Sequence, residues 1–139
     1  MKPFFTAWLA LVFFAVQDIL IWQRIFETHE MWEFVNQYHL GWFVSLAGYI
    51  ALGVLLFQTW KDRLIYAVCL FALALNGIED VLYYWLDARA LPAFLPWLNQ
   101  NPLILFRPVT DTGLVANCAI WLIVMVLGLV FVEKRRRSL

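Results

Sequence analysis

The chain has 139 residues, 64% of them hydrophobic, and a mean hydropathy of +0.76, far above the roughly 45–50% apolar content of soluble domains, so it reads as one all-α integral membrane domain. Ten lysines and arginines balance ten carboxylates, which excludes the basic surface that nucleic acid requires. Cys69 and Cys118 lie in separate apolar segments with no CxxC, which speaks against a thiol-disulfide catalyst and marks both as packing residues.

The first apolar run, about 4–26, begins "MKPFFTAWLALVFFAVQ". It has the basic and apolar parts of a signal peptide, but no small-x-small cleavage motif precedes Gln17 and Asp18, so it is read as a retained span. The connection "ETHEMWEFVNQYH" sets Trp32 and Phe34 among acidic residues and predicts a short interfacial helix with its aromatics in the headgroup belt. A second span follows at about 39–60, a tight turn within "WKDR", and a third span at about 64–86. The segment "ARALPAFLPWLNQNPLILFRP" holds Pro92, Pro96, Pro102 and Pro108, which rule out a continuous helix. Its many apolar residues predict a cap lying on the bundle. The fourth span runs from about 110 to 133 and ends in "EKRRR".

Each of these four runs reaches the roughly 20 residues needed to cross a hydrocarbon core about 30 Å thick. Spans in lipid must satisfy their backbone internally, hence as helices, and sequential helices with short connections predict an up-down-up-down four-helix bundle. Lys2, Lys61, Arg63, Lys134, Arg135, Arg136 and Arg137 fall on one side, against Arg24, Arg89 and Arg107 on the other. The basic excess predicts a multi-pass protein of the cell membrane with both termini cytoplasmic.

Inside this apolar frame, Asp18, Glu79 and Asp80 stand out. Charged residues within spans are costly and usually face the bundle interior or a wet cavity. Counted from the outer ends of their helices, Asp18 and the Glu79/Asp80 pair lie at similar depths, roughly 10 Å down at 1.5 Å per residue. Asn76, Glu79, Asp80, Tyr83 and Asp87 share one helical stripe. On the first span Asp18, Trp22, Ile25 and His29 follow the same rows; on the second His39, Trp42, Ser45 and Tyr49 do so; on the fourth Thr110, Gly113, Asn117 and Trp121. The expectation is a carboxylate-rich site in the outer half of the bundle. Asp18, Glu79 and Asp80 are its candidate acid/base groups, with Asn76, Tyr83, Arg107 and His39 orienting a ligand. If a divalent metal is the cofactor, Asp18, Glu79, Asp80 and Asp111 are its candidate ligands.

Structural roles are available for several of these residues. Thr110 or Asp111 fits the N-cap of the fourth span, His29 and His39 sit near the interface, and Arg24 or Arg107 pairing with Glu79 or Asp80 makes an ion pair that fixes register. Three classes of function follow. The first is binding or transforming an amphiphilic, lipid-like ligand or a cation, with the cap as lid. The second is an accessory subunit, or a homo-oligomer, whose acids meet arginines of a partner membrane subunit. The third is a proton- or cation-coupled transporter. Chain size, span count and the acidic residue in the first span resemble the small multidrug transporters, whereas the long outer connections and the second acidic cluster depart from them.

Overall fold

A computed structural model describes residues 2–137. Secondary structure among them is helical apart from one isolated bridge between Phe94 and Thr110. The elements are α1 (Lys2–Gln17), a π-helical segment (Asp18–Gln23), α2 (Arg24–His29), a 3-10 turn (Trp32–Phe34), α3 (Val35–Val54), α4 (Trp60–Leu75), α5 (Ile78–Leu86), a 3-10 segment (Pro96–Gln100) and α6 (Asp111–Arg137). Two helices, Lys2–Phe26 and Asp111–Arg135, are long and apolar enough to cross a membrane. A third span results if α4 and α5 count as one, bent by 67°. The side chains of Trp22, Trp32, Arg136 and Arg137, named above, lie outside the described groups.

Helix α1 packs chiefly on α4, and α4 in turn on α3. The buried residues of this layer are Phe4, Ala7, Leu11, Phe14, Leu46, Tyr66, Leu70 and Leu73. The helices interlock through close packing and through polar contacts between them. Tyr66 illustrates both. Its ring fills the notch left by Gly53, where a Cβ would come within 2.0 Å of the ring, and its hydroxyl donates to the Tyr49 carbonyl at 2.8 Å. The main helix contact of α6 is with α5, and Ile123, Val124, Leu127, Val130 and Phe131 along its second half are exposed.

Several boundaries differ from the expected ones, each for a local reason. The tight turn is not at "WKDR" but over residues 55–59, because Thr59 caps α4: its hydroxyl accepts from the Asp62 N–H at 3.2 Å and meets the Asp62 carboxylate at 2.8 Å. Residues 60–63 are therefore the first turn of α4, with Asp62 placed favourably near the helix N-terminus. Helix α3 starts at Val35, four residues before the expected span, and ends at Val54. The predicted third span is broken at Asn76 and Gly77, where Gly77 takes φ +90°, a conformation that glycine adopts without a Cβ penalty.

Candidate functional site

The break at Asn76–Gly77 shapes the site. It ends one helix and starts another, so that Glu79 and Asp80 fall in the first turn of α5. There the helix dipole favours negative charge, by about 0.3–1 kcal/mol at an exposed terminus. That is one physical reason why two adjacent carboxylates are tolerated in an otherwise apolar run. Backbone groups released by the break find side-chain partners, two from distant parts of the chain and one local. The Leu75 carbonyl accepts from Asn101 Nδ2 at 2.6 Å, the Asn76 carbonyl accepts from Asn117 Nδ2 at 2.7 Å, and the Ile78 N–H donates to Asn76 Oδ1 at 3.0 Å. Backbone groups buried in an interrupted helix need this kind of internal satisfaction.

Beside the break lies a cavity of about 410 Å³, whose walls include Asp18, Glu79, Asp80, Tyr38, His39, Trp42, Tyr83 and Trp97. Asp18 is 4% exposed and Glu79 5%. Both Asp18 and Asp80 lie within electrostatic reach of Glu79. The Tyr38 hydroxyl donates to both oxygens of Asp18, at 2.8 and 2.9 Å, and the Trp97 indole N–H donates to Asp80 at 3.1 Å. Glu79 Oε1 has no hydrogen-bond partner among the described residues. No lysine or arginine is among the residues that line the cavity.

The π-helical segment explains how α1 enters this wall. A π turn inserts about one extra residue into the helical repeat, so the face that carries Asp18 continues through Gln23 and Phe26 and not through Ile25 and His29. Gln23 lines the cavity, Phe26 is buried against the Tyr38 ring at 5.3 Å, and Ile25 and His29 are exposed. The expected row on the first span is corrected in this respect.

Other expected members of the site are placed elsewhere. Asn76 is fully buried at the break and outside the cavity lining; its Oδ1 caps Ile78 and its Nδ2 has no partner among the described residues. Arg107 is exposed and donates to the Asn101 carbonyl at 2.7 Å, bracing the cap and not a ligand. Asp111 opens α6, its carboxylate accepting from the Thr112 N–H at 2.6 Å, while Thr110 Oγ1 accepts from the Gly113 N–H at 3.0 Å. The expected pairing of Arg24 or Arg107 with Glu79 or Asp80 gives way to another arrangement. Arg24 pairs with Asp87, which Arg89 also holds at 2.5 Å, and Arg89 donates to the Tyr83 hydroxyl at 2.5 Å.

Tyr38, Gln23, Tyr84 and Trp97 join the wall although the rows drawn from sequence did not include them. The signal for Tyr38 was present: residues 38, 42, 45 and 49 follow the 3.6-residue repeat once α3 is started at Val35. Ser45 on that row accepts from Gln17 Nε2 at 3.0 Å, one turn below the cavity. Among the described residues no three His, Cys, Asp or Glu side chains converge as a metal-binding group. Compared with protein-family models, with curated proteins and with solved structures, the chain matches none.

Proposed function

We propose that this chain is a multi-pass protein of the cell membrane, four helices in an up-down-up-down bundle with both termini cytoplasmic, whose carboxylate cavity binds a cation or the positively charged head of an amphiphilic ligand. The observation that carries the reading is Glu79. Glu79 lines a cavity walled by two further carboxylates and no lysine or arginine, and its buried Oε1 lacks a partner among the described residues. A buried acceptor left unpaired is unfavourable, and a cationic donor in the cavity supplies both the bond and the countercharge. Membrane placement is supported by the two long apolar helices and by exposed Leu40, Phe43, Val44 and Leu52 on α3. Orientation is supported by the basic residues near Lys2, Lys61 and the end of α6, which leave the cavity towards the outer leaflet.

Purification in mild detergent followed by native mass spectrometry and elemental analysis tests this reading. A bound cation or amphiphile that is present in the parent protein and absent from Glu79→Gln is expected. Its equal presence in both proteins overturns the assignment. The second reading, a subunit of a larger membrane assembly, is favoured by the exposed apolar second half of α6, and a stoichiometric partner or a second copy retained in the same spectra supports it.

A further inference from the structure

The chemistry of the cavity narrows the class of ligand, given that it binds a cation at all. A hard divalent ion takes six or more oxygen ligands in a close shell. Here two of the three carboxylates already accept hydrogen bonds, Asp18 from Tyr38 and Asp80 from Trp97, and no group of three ligating side chains converges among the described residues. The buried carboxylate oxygen with no partner among the described residues is Glu79 Oε1, beside a cavity walled by three carboxylates and by aromatic rings. Trp42, Phe43, Tyr83, Tyr84 and Trp97 all contribute to that wall. Ring faces attract cations when these lie within about 6 Å of the centroid, and the same wall already does so: the Arg89 guanidinium stands 5.2 Å from the Tyr83 centroid and 5.6 Å from that of Tyr84.

We infer that the cavity takes a primary alkylammonium group, the head of an amphiphilic amine, with an N–H donated to Glu79 Oε1 and the aromatic walls around the first carbons of its chain. This assignment rests on the cation-binding reading above. A quaternary ammonium satisfies the charge and the rings but has no N–H for the unpartnered acceptor. A neutral alcohol has a donor but no charge. A primary ammonium supplies charge and three donors together, and a simple alkylamine is protonated at neutral pH, as a lysine is. A cavity of about 410 Å³ lies within the roughly 300–1,000 Å³ of small-molecule sites.

The test is a titration of the detergent-purified chain at neutral pH with hexylammonium chloride, hexyltrimethylammonium bromide, 1-hexanol, MgCl2 and CaCl2. It is read by calorimetry and by the emission of the tryptophans, two of which, Trp42 and Trp97, line the cavity. Hexylammonium is expected to bind saturably, at least tenfold more tightly than the trimethyl compound and with 1-hexanol showing no saturable signal. Glu79→Gln is expected to lose at least tenfold in hexylammonium affinity, and Trp97→Phe to weaken it less. Equal or tighter binding of the trimethyl compound overturns the primary-amine assignment and leaves the cation reading standing. Saturable binding of magnesium or calcium in place of hexylammonium does the same. Equal binding of 1-hexanol, or no saturable binding by any member of the panel, overturns both.

Discussion

Replacing Glu79 with glutamine is expected to raise the stability of the ligand-free protein. Three effects compete at this position. Burial of Glu79, 5% exposed with Oε1 unpartnered, costs about 1–3 kcal/mol for an unsatisfied polar group and more where the group carries charge. Asp18 and Asp80 act on it as like charges, which adds to the cost of keeping a third carboxylate beside them. On the other side, its place in the first turn of α5 returns about 0.3–1 kcal/mol through the helix dipole. The first two outweigh the third. Glutamine keeps the volume, removes the repulsion and offers an N–H₂ donor next to two carboxylates, so a net gain of about 1–2 kcal/mol is expected from the difference of these terms. Asp80→Asn provides the contrast. Asp80 already accepts from Trp97 at 3.1 Å, and an amide oxygen accepts that bond equally, so the change relieves only the repulsion on Glu79 and a smaller gain, up to about 1 kcal/mol, is expected. Melting curves of both variants in one detergent, with and without hexylammonium, make the comparison. A loss of 1 kcal/mol or more in Glu79→Gln, with ligand response unaltered, refutes the reasoning and assigns Glu79 to the N-terminus of α5 alone. A stability gain accompanied by lost binding is the pattern of a site kept at the expense of the fold.

Gly77→Ala is expected to destabilise by about 2–4 kcal/mol, since φ is +90° and the added Cβ falls 2.2 Å from Leu114 Cδ1; an unchanged melting temperature refutes the strained break. Asn117→Leu strands the buried Asn76 carbonyl and the partly buried Leu105 N–H, bonded at 2.7 and 2.9 Å, and is expected to cost about 1–3 kcal/mol, chiefly for the buried carbonyl, with faster proteolysis of the 87–110 segment as a second readout. A reporter that works only in the cytoplasm is expected to be active when fused behind α6, and activity there of a reporter that works only outside the cell inverts the proposed orientation and moves the cavity to the inner leaflet.

The helices of α1 and α6, long and apolar enough to cross a membrane, were legible because composition reports the length of an apolar run directly. Asp18, Glu79 and Asp80, which rise per residue sets at similar heights along their helices, line one cavity. What the sequence obscured were events that change phase within a run. The π turn at Asp18–Gln23 has no compositional mark, so the row below it was projected one residue out of step. The start of α3 was placed late because Asn36, Gln37 and Tyr38 are polar; Asn36 and Gln37 are exposed in the first turn of the helix, and Tyr38 lines the cavity.

The break before α5 did leave a signal, the Asn76–Gly77 pair, which is a common turn dipeptide. The consequence of that break reaches further than a bend. Once the helix is interrupted, its freed carbonyls require donors, and these come from Asn101 in the cap and Asn117 in α6. The same cap supplies Trp97 to Asp80. The acidic first turn of α5 and the closure of the cap are therefore held by one network, so a change that loosens the cap also alters the environment of Glu79 and Asp80. A continuous helix through residues 64–86 would satisfy its own backbone, need neither asparagine, and leave both carboxylates mid-helix with no dipole behind them. The proline-rich segment is thus a structural condition for two adjacent carboxylates in an apolar run, and the cavity they line is its consequence.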